Sequence, residues 1–175
     1  MTNTTKHKHI EKKDLLIQVH IIVVSDSLSV AEPNSRKDKD KSSVIASSFL
    51  TKKGFKVVNV SYVADEIEDI QNVVKQSIDA KIELILTIGG TGIAKRDVTI
   101  EAITPLLEKT LPGYGELFRH LTYQTVGTVS IMTRALAGIA KNSVIVALPG
   151  SPNAVELGTK IIAEEILHIQ NLLRK

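Results

Sequence analysis

The chain is 175 residues long, with a formal net charge of +3, 43% hydrophobic residues, 3% aromatics and no cysteine. That length predicts one domain with a single core. Zero cysteines exclude disulfides, thiolate metal ligands and cysteine nucleophiles, and suit a reducing cytoplasm. The whole excess charge sits in residues 1–13, where Lys6, Lys8, Lys12 and Lys13 face Glu11 alone. This reads as a flexible basic tail ahead of a single neutral domain over 14–175. No basic run is interleaved with aromatics, so the pattern is not that of a nucleic-acid binder, and no apolar run reaches membrane-span length.

In chain order, β-rich runs alternate with helical periodicity, which predicts an α/β fold with a parallel sheet and crossover helices. The first strand is Ile17 to Val24, apolar on both faces apart from Gln18 and His20, and it runs out at Ser25-Asp26-Ser27. The charged stretch from Glu32 to Lys41 reads as a mobile loop before a helix over Ser42 to Lys53, which Gly54 stops. A strand from Lys56 to Val63 leads to Ala64-Asp65-Glu66 and a helix with Ile67, Ile70, Val73, Val74 and Ile78 on one face. The third strand, Glu83 to Ile88, delivers a glycine turn. Beyond it the pattern gives a helix from Ile100 to Lys109, a break at Pro112-Gly113-Tyr114-Gly115, and a helix over Glu116 to Tyr123. A helical piece over Ser130 to Arg134 precedes a hairpin that joins Leu136–Ala140 to Ser143–Leu148 through Lys141-Asn142. This puts an antiparallel element on the sheet. A turn at Pro149-Gly150-Ser151-Pro152 opens the closing amphipathic helix.

The chemistry concentrates in residues 84–99, LILTIGGTGIAKRDVT. A strand ending in Gly89, Gly90 and Gly92 brings bare backbone N–H groups to a sheet edge, where an anion approaches with no Cβ in the way. Lys95 and Arg96 add positive charge, Asp97 can hold a divalent metal through oxygen, and Thr99 can cap the next helix. Ser25-Asp26, Asp65, the Gly89–Asp97 turn and the Pro149–Asn153 turn all follow the C-terminal ends of predicted strands. In a parallel α/β sheet that rim is where ligands bind. His20 reads as a strand residue with a satisfied hydrogen bond, His7, His9, His120 and His168 show no ligand spacing, and no G-x(4)-G-K-[ST] is present.

The segments GGTGIAKRDVT, EAI, LPGYGELFR, SIMTRALAG and LPGSPNAV, in that order, resemble the molybdopterin-binding family of molybdenum-cofactor biosynthesis, which contains the MoaB and MogA proteins. The likeness spans residues 15–170, and SIMTRALAG with the compact length is more similar to MoaB. It implies a three-layer α/β/α sandwich, a mostly parallel sheet with an antiparallel strand, assembled as a homotrimer or a dimer of trimers. It further implies binding of molybdopterin as substrate and, in active members, of Mg²⁺ with ATP, in a protein whose cysteine-free sequence already suits the cytoplasm. AMP then passes to the pterin's terminal phosphate and pyrophosphate leaves.

Mapped onto this chain, the family's two essential carboxylates fall on Asp65 and Asp97, as catalytic and magnesium-holding residues. Gly89, Gly90, Thr91, Gly92, Arg96 and Thr99 form the phosphate side of the implied site. Pro149, Gly150, Ser151, Pro152, Asn153 and Ala154 meet another part of the nucleotide or pterin, and Ser25 and Asp26 line the same cleft. The chain departs from the family pattern at Ala64 and Ile100, where proline is usual, at Ser43, and at Ser25-Asp26-Ser27-Leu28, which lacks the common arginine. Two alternatives stay open: a molybdopterin-binding protein without catalysis, and a magnesium-dependent nucleotide pyrophosphatase resembling the competence-damage proteins.

Overall fold

The computed structural model describes residues 16–175, so the basic tail expected at 1–13 lies outside the described residues. Six strands form one sheet: β1 (Gln18–Val24), β2 (Lys56–Val63), β3 (Leu84–Ile88), β4 (Lys109–Thr110), β5 (Leu136–Ala140) and β6 (Ser143–Leu148). Their order is β2-β1-β3-β6-β5-β4. The first four run parallel, and β5 is antiparallel to both β6 and β4. The central strands are buried on both faces because helices cover both. Val19, Ile21, Val23, Leu84, Leu86, Val144 and Val146 point to one face, under α3 (Lys41–Lys52), α6 (Pro112–Val126) and α7 (Pro152–Leu173). Ile22, Val24, Ile85 and Ile145 point to the other, under α4 (Ile67–Asp79) and α5 (Thr99–Ile103). The period-two alternation of apolar residues thus builds a three-layer α/β/α sandwich.

Several expected elements take a different form. The stretch Glu32–Lys41 contains a helix, α2 (Pro33–Lys39), rather than a loop. Pro33 presets its first turn, and Arg36 ties it down by donating to the carbonyls of Leu28 and Ser29 and by stacking on Tyr62, 4.6 Å from the ring centroid. Ser25-Asp26-Ser27, where the first strand runs out, leads into a single helical turn, α1 (Asp26–Ser29), with Ser25 as N-cap. The helix expected over 100–109 stops at Ile103 and tightens to a 3₁₀ turn over Thr104–Leu106, because Pro105 has no N–H to continue the ladder. The chain then adds the short edge strand β4, which has too few residues to show a period. Pro112 starts α6 rather than breaking before it, and residues 127–132 are 3₁₀. The hairpin through Lys141-Asn142 is present, with Lys141 at φ 52°. No helix among the described residues is long and apolar enough to cross a membrane.

The register sets the site. Val23 pairs with Ile88, Ile88 with Leu148, and Val24 with Val63, so β1, β2, β3 and β6 all end on one rim. The chain leaves β1 toward β2 on one side and returns to β3 on the other, which opens a crevice at the β1–β3 switch point.

Candidate functional site

The glycine turn is wedged between its neighbours. A Cβ on Gly89 (φ +107°) would fall 2.3 Å from the Val24 carbonyl oxygen. One on Gly90 (φ +61°) would fall 2.3 Å from Thr99 Oγ1 and 2.9 Å from Asp65 Oδ1. Thr99, expected as a helix cap, instead buries its hydroxyl and donates it to the Gly89 carbonyl, 2.9 Å away, and its own N–H donates to the Gly90 carbonyl. Cradle and helix start are thereby stitched together. Among the described residues, no partner receives the N–H groups of Gly90, Thr91 or Gly92.

Two carboxylates abut this turn. Asp65 Oδ1 stands against Gly90, and Asp97 Oδ2 lies 2.6 Å from the Cβ position of Gly92. Asp97 also accepts from the Ala94 N–H at 2.8 Å, which closes the turn on itself. Burial raises the Asp65 carboxyl above its ordinary value, and the charges of Asp26 and Asp97 add to the rise against the N–H of Asp26 and the charge of Arg96. The donors here are hard oxygens. Two carboxylates beside an anion cradle fit Mg²⁺, which is held through one or two carboxylates plus substrate phosphates. Among the described residues, no group of three or more His, Cys, Asp or Glu has metal-holding geometry.

Gly90, Thr91, Gly92 and Asp97 form one end of a cleft of about 980 Å³. Pro149, Gly150, Ser151, Asn153 and Ala154 line the adjoining wall, where the Gly150 carbonyl is held by the Ser42 hydroxyl at 2.7 Å. Sequence reasoning missed the opposite wall, which α6, the following 3₁₀ turn and α7 build from Phe118, Thr122, Thr125, Met132, Leu157 and Lys160. Those residues carry an ordinary amphipathic pattern, so no local signal marks them. It also missed Arg134, which donates to the carbonyls of Thr91 (3.1 Å) and Asp97 (3.0 Å) and pairs with Glu101. Its signal was the SIMTRALAG segment, to which no role had been given.

The remaining expected residues do not line the cleft. Ser25, Asp26, Asp65, Gly89, Arg96, Thr99 and Pro152 lie outside its lining. Asp26 and Asp65 exchange main-chain hydrogen bonds, each carboxylate accepting the other's N–H at 3.0 and 3.1 Å. Arg96 donates to Asp26 and Glu66. Its hydrogen bonds hold the Asp26 carboxyl below the usual carboxylate range.

Residues 20–168 match the family described as "Probable molybdopterin binding domain". The chain is 38% identical over 171 residues to molybdenum cofactor biosynthesis protein B of Bacillus subtilis strain 168, covering 96% of each. A crystal structure of a molybdenum cofactor biosynthesis protein B is similar at a TM-score of 0.83 and 36% identity, covering 91% of this chain and 97% of that one. The tungsten cofactor synthesizing protein MoaB of Pyrococcus furiosus is similar at 0.81 and 34%, covering 91% and 98%.

Proposed function

This chain belongs to the molybdopterin-binding family of molybdenum-cofactor biosynthesis, on the MoaB side, and from that premise we propose that it adenylylates molybdopterin at the expense of Mg-ATP. The observation that carries the reading is the seating of Asp65 and Asp97 against Gly90 and Gly92, two residues of one anion cradle at the end of a large cleft. A terminal phosphate oxygen of the pterin attacks the α-phosphorus of ATP; the new P–O bond forms as the bond to the bridging oxygen breaks, and pyrophosphate leaves with that electron pair. The attacking phosphate is largely dianionic near neutral pH, with a second pKa of about 6, so no strong general base is needed. Rate then depends on positioning and on neutralising two anions brought together.

The chain's own groups supply both. The N–H groups of Gly90, Thr91 and Gly92 donate to phosphate oxygens, and Asp65 and Asp97 are the residues that would hold Mg²⁺. Bound there with the nucleotide, the ion supplies charge neutralisation. The apolar and hydroxyl-bearing side chains of α6 and α7 offer a wall for a flat heterocycle with a polar edge. Outside the cleft lining, exposed Leu117, Tyr123 and Ile131 on α6 and the turn after it support self-association, here proposed as a trimer or a dimer of trimers, which light scattering on the purified protein tests.

The deciding assay gives purified protein molybdopterin and Mg-ATP and measures adenylylated pterin and pyrophosphate. Product from the wild type, with at least a 100-fold lower rate from Asp97→Ala, is expected from loss of a charge-stabilising group. Pterin binding without product moves the chain to a binding role. Equal rates from the two proteins remove Asp97 from the chemistry.

A further inference from the structure

We propose that Arg96 is a positioning residue, which grips Asp26 so that Asp26 in turn fixes the Asp65 carboxylate against the glycine turn, and that it does not itself bind substrate phosphate. This rests on the role of Asp65 proposed above. The guanidinium is already committed: Nε donates to Asp26 Oδ2 and Nη2 to Asp26 Oδ1, both at 2.8 Å, while Nη1 donates to Glu66 Oε1 at 2.7 Å. A side-on bidentate grip fixes the plane of the Asp26 carboxylate, which a point charge would leave free to turn.

That plane matters because Asp26 Oδ1 accepts the Asp65 N–H while the Asp26 N–H occupies Asp65 Oδ2. With Oδ2 spoken for, Asp65 presents Oδ1 to Gly90. Three loops that follow β1, β2 and β3 are thus locked by one side chain.

Charge balance also separates positioning from phosphate binding. Moving Arg96 to a phosphate would leave Asp26 and Glu66 uncompensated beside Asp65, a like-charge cost that the ligand would have to offset. The grip is no device for stability either. The side chains of Arg96 and Asp26 are 55% and 49% exposed, and ion pairs that open to solvent add little to folding.

The test is a double-mutant cycle of Arg96→Gln and Asp26→Asn, with two independent readouts. The first, on ligand-free protein, is the hydrogen-exchange rate of the Asp65 N–H. It should rise about tenfold or more in Arg96→Gln, since loss of the grip frees the acceptor, while the melting temperature barely moves. The second is steady-state kinetics together with the affinity for Mg²⁺ and α,β-methylene-ATP. Each single variant and the double variant should lose turnover alike, by about 30-fold for a carboxylate displaced by a fraction of an ångström, and should weaken Mg²⁺ to the same extent as one another, since Asp65 is one of its two holders. Arg96→Lys should not rescue, because it cannot grip two oxygens at once.

Additive losses, or weakened analogue binding in Arg96→Gln with Asp65 exchange unchanged, would put Arg96 on the phosphate and overturn the proposal. A wild type that makes no product defeats adenylylation alone, and the exchange arm still decides the role of Arg96.

Discussion

Asp97 Oδ2 lies 2.6 Å from where a Cβ on Gly92 would stand, so the absence of a side chain at Gly92 is what lets the carboxylate close on its own turn. Unlike Gly89 and Gly90, Gly92 has no positive φ, and alanine there meets steric conflict with Asp97 rather than backbone strain. Gly92→Ala should therefore fold, with a melting temperature within a few degrees of wild type, and lose about 100-fold in turnover as the carboxylate shifts by roughly an ångström. Thermal melts beside product formation check both halves. Full turnover with a displaced Asp97 would remove that residue from the reaction.

Arg134 acts on the same turn through the carbonyls of Thr91 and Asp97. Hydrogen bonds from a charged donor contribute about 1.5–3 kcal/mol each, and lysine cannot serve both carbonyls and Glu101 together. Arg134→Lys should lower unfolding free energy by about 2 kcal/mol on that scale, with broadened amide signals confined to residues 89–99. Denaturant unfolding and amide spectra of ligand-free protein measure this without any substrate.

How much of this was legible before the structure depends on range. The parallel strands and the rim announce themselves through β-branched runs that end in polar turns, because burial on both faces leaves a local trace. The glycine turn and Asp97 are also local. The grip of Arg96 on Asp26 joins residues 70 apart, and nothing near either one marks the other. The same holds for Thr99, whose hydroxyl a sequence assigns to a cap but the fold spends on the Gly89 carbonyl. Helix α2 was hidden because six of its seven residues are polar or charged and carry no apolar period, and its anchor is Arg36 on carbonyls and on a distant Tyr62.

His20 makes stability fall with acid. Its Nδ1 is 2.7 Å from Ser77 Oγ, whose own proton goes to the Val73 carbonyl, so Nδ1–H donates to Ser77 and Nε2 accepts from Ser61 at 2.8 Å. Burial lowers its pKa below the ordinary 6.5. The unfolded chain therefore binds the proton more readily, and stability drops as pH falls through 6.5 toward the lowered native value, then levels off. The slope is at most about 1.4 kcal/mol per pH unit for one proton. Urea midpoints measured between pH 8 and pH 5 should show this fall, and His20→Leu should flatten it.

Lys160 is the single lysine or arginine among the described residues that line the cleft, one turn along α7 from Glu156, with which it pairs at 2.6 Å. Both side chains are half exposed, so the pair contributes under about 1 kcal/mol to folding, and removing it should leave the melting temperature unchanged. Binding is a different matter. An anionic ligand that fills the cleft meets a mobile positive charge there, far in sequence from the backbone donors of the glycine turn but lining the same cavity. A charge-assisted hydrogen bond of about 1.4 kcal/mol corresponds to tenfold in affinity. Lys160→Gln should raise the KM for the pterin by about that factor and leave turnover at saturation within twofold, the mark of an interaction made equally in ground and transition states. Raising ionic strength should weaken wild-type binding more than binding to the variant, since only the wild type carries the screened charge. A variant with wild-type KM and wild-type salt dependence would show that Lys160 stays with Glu156 when the cleft fills.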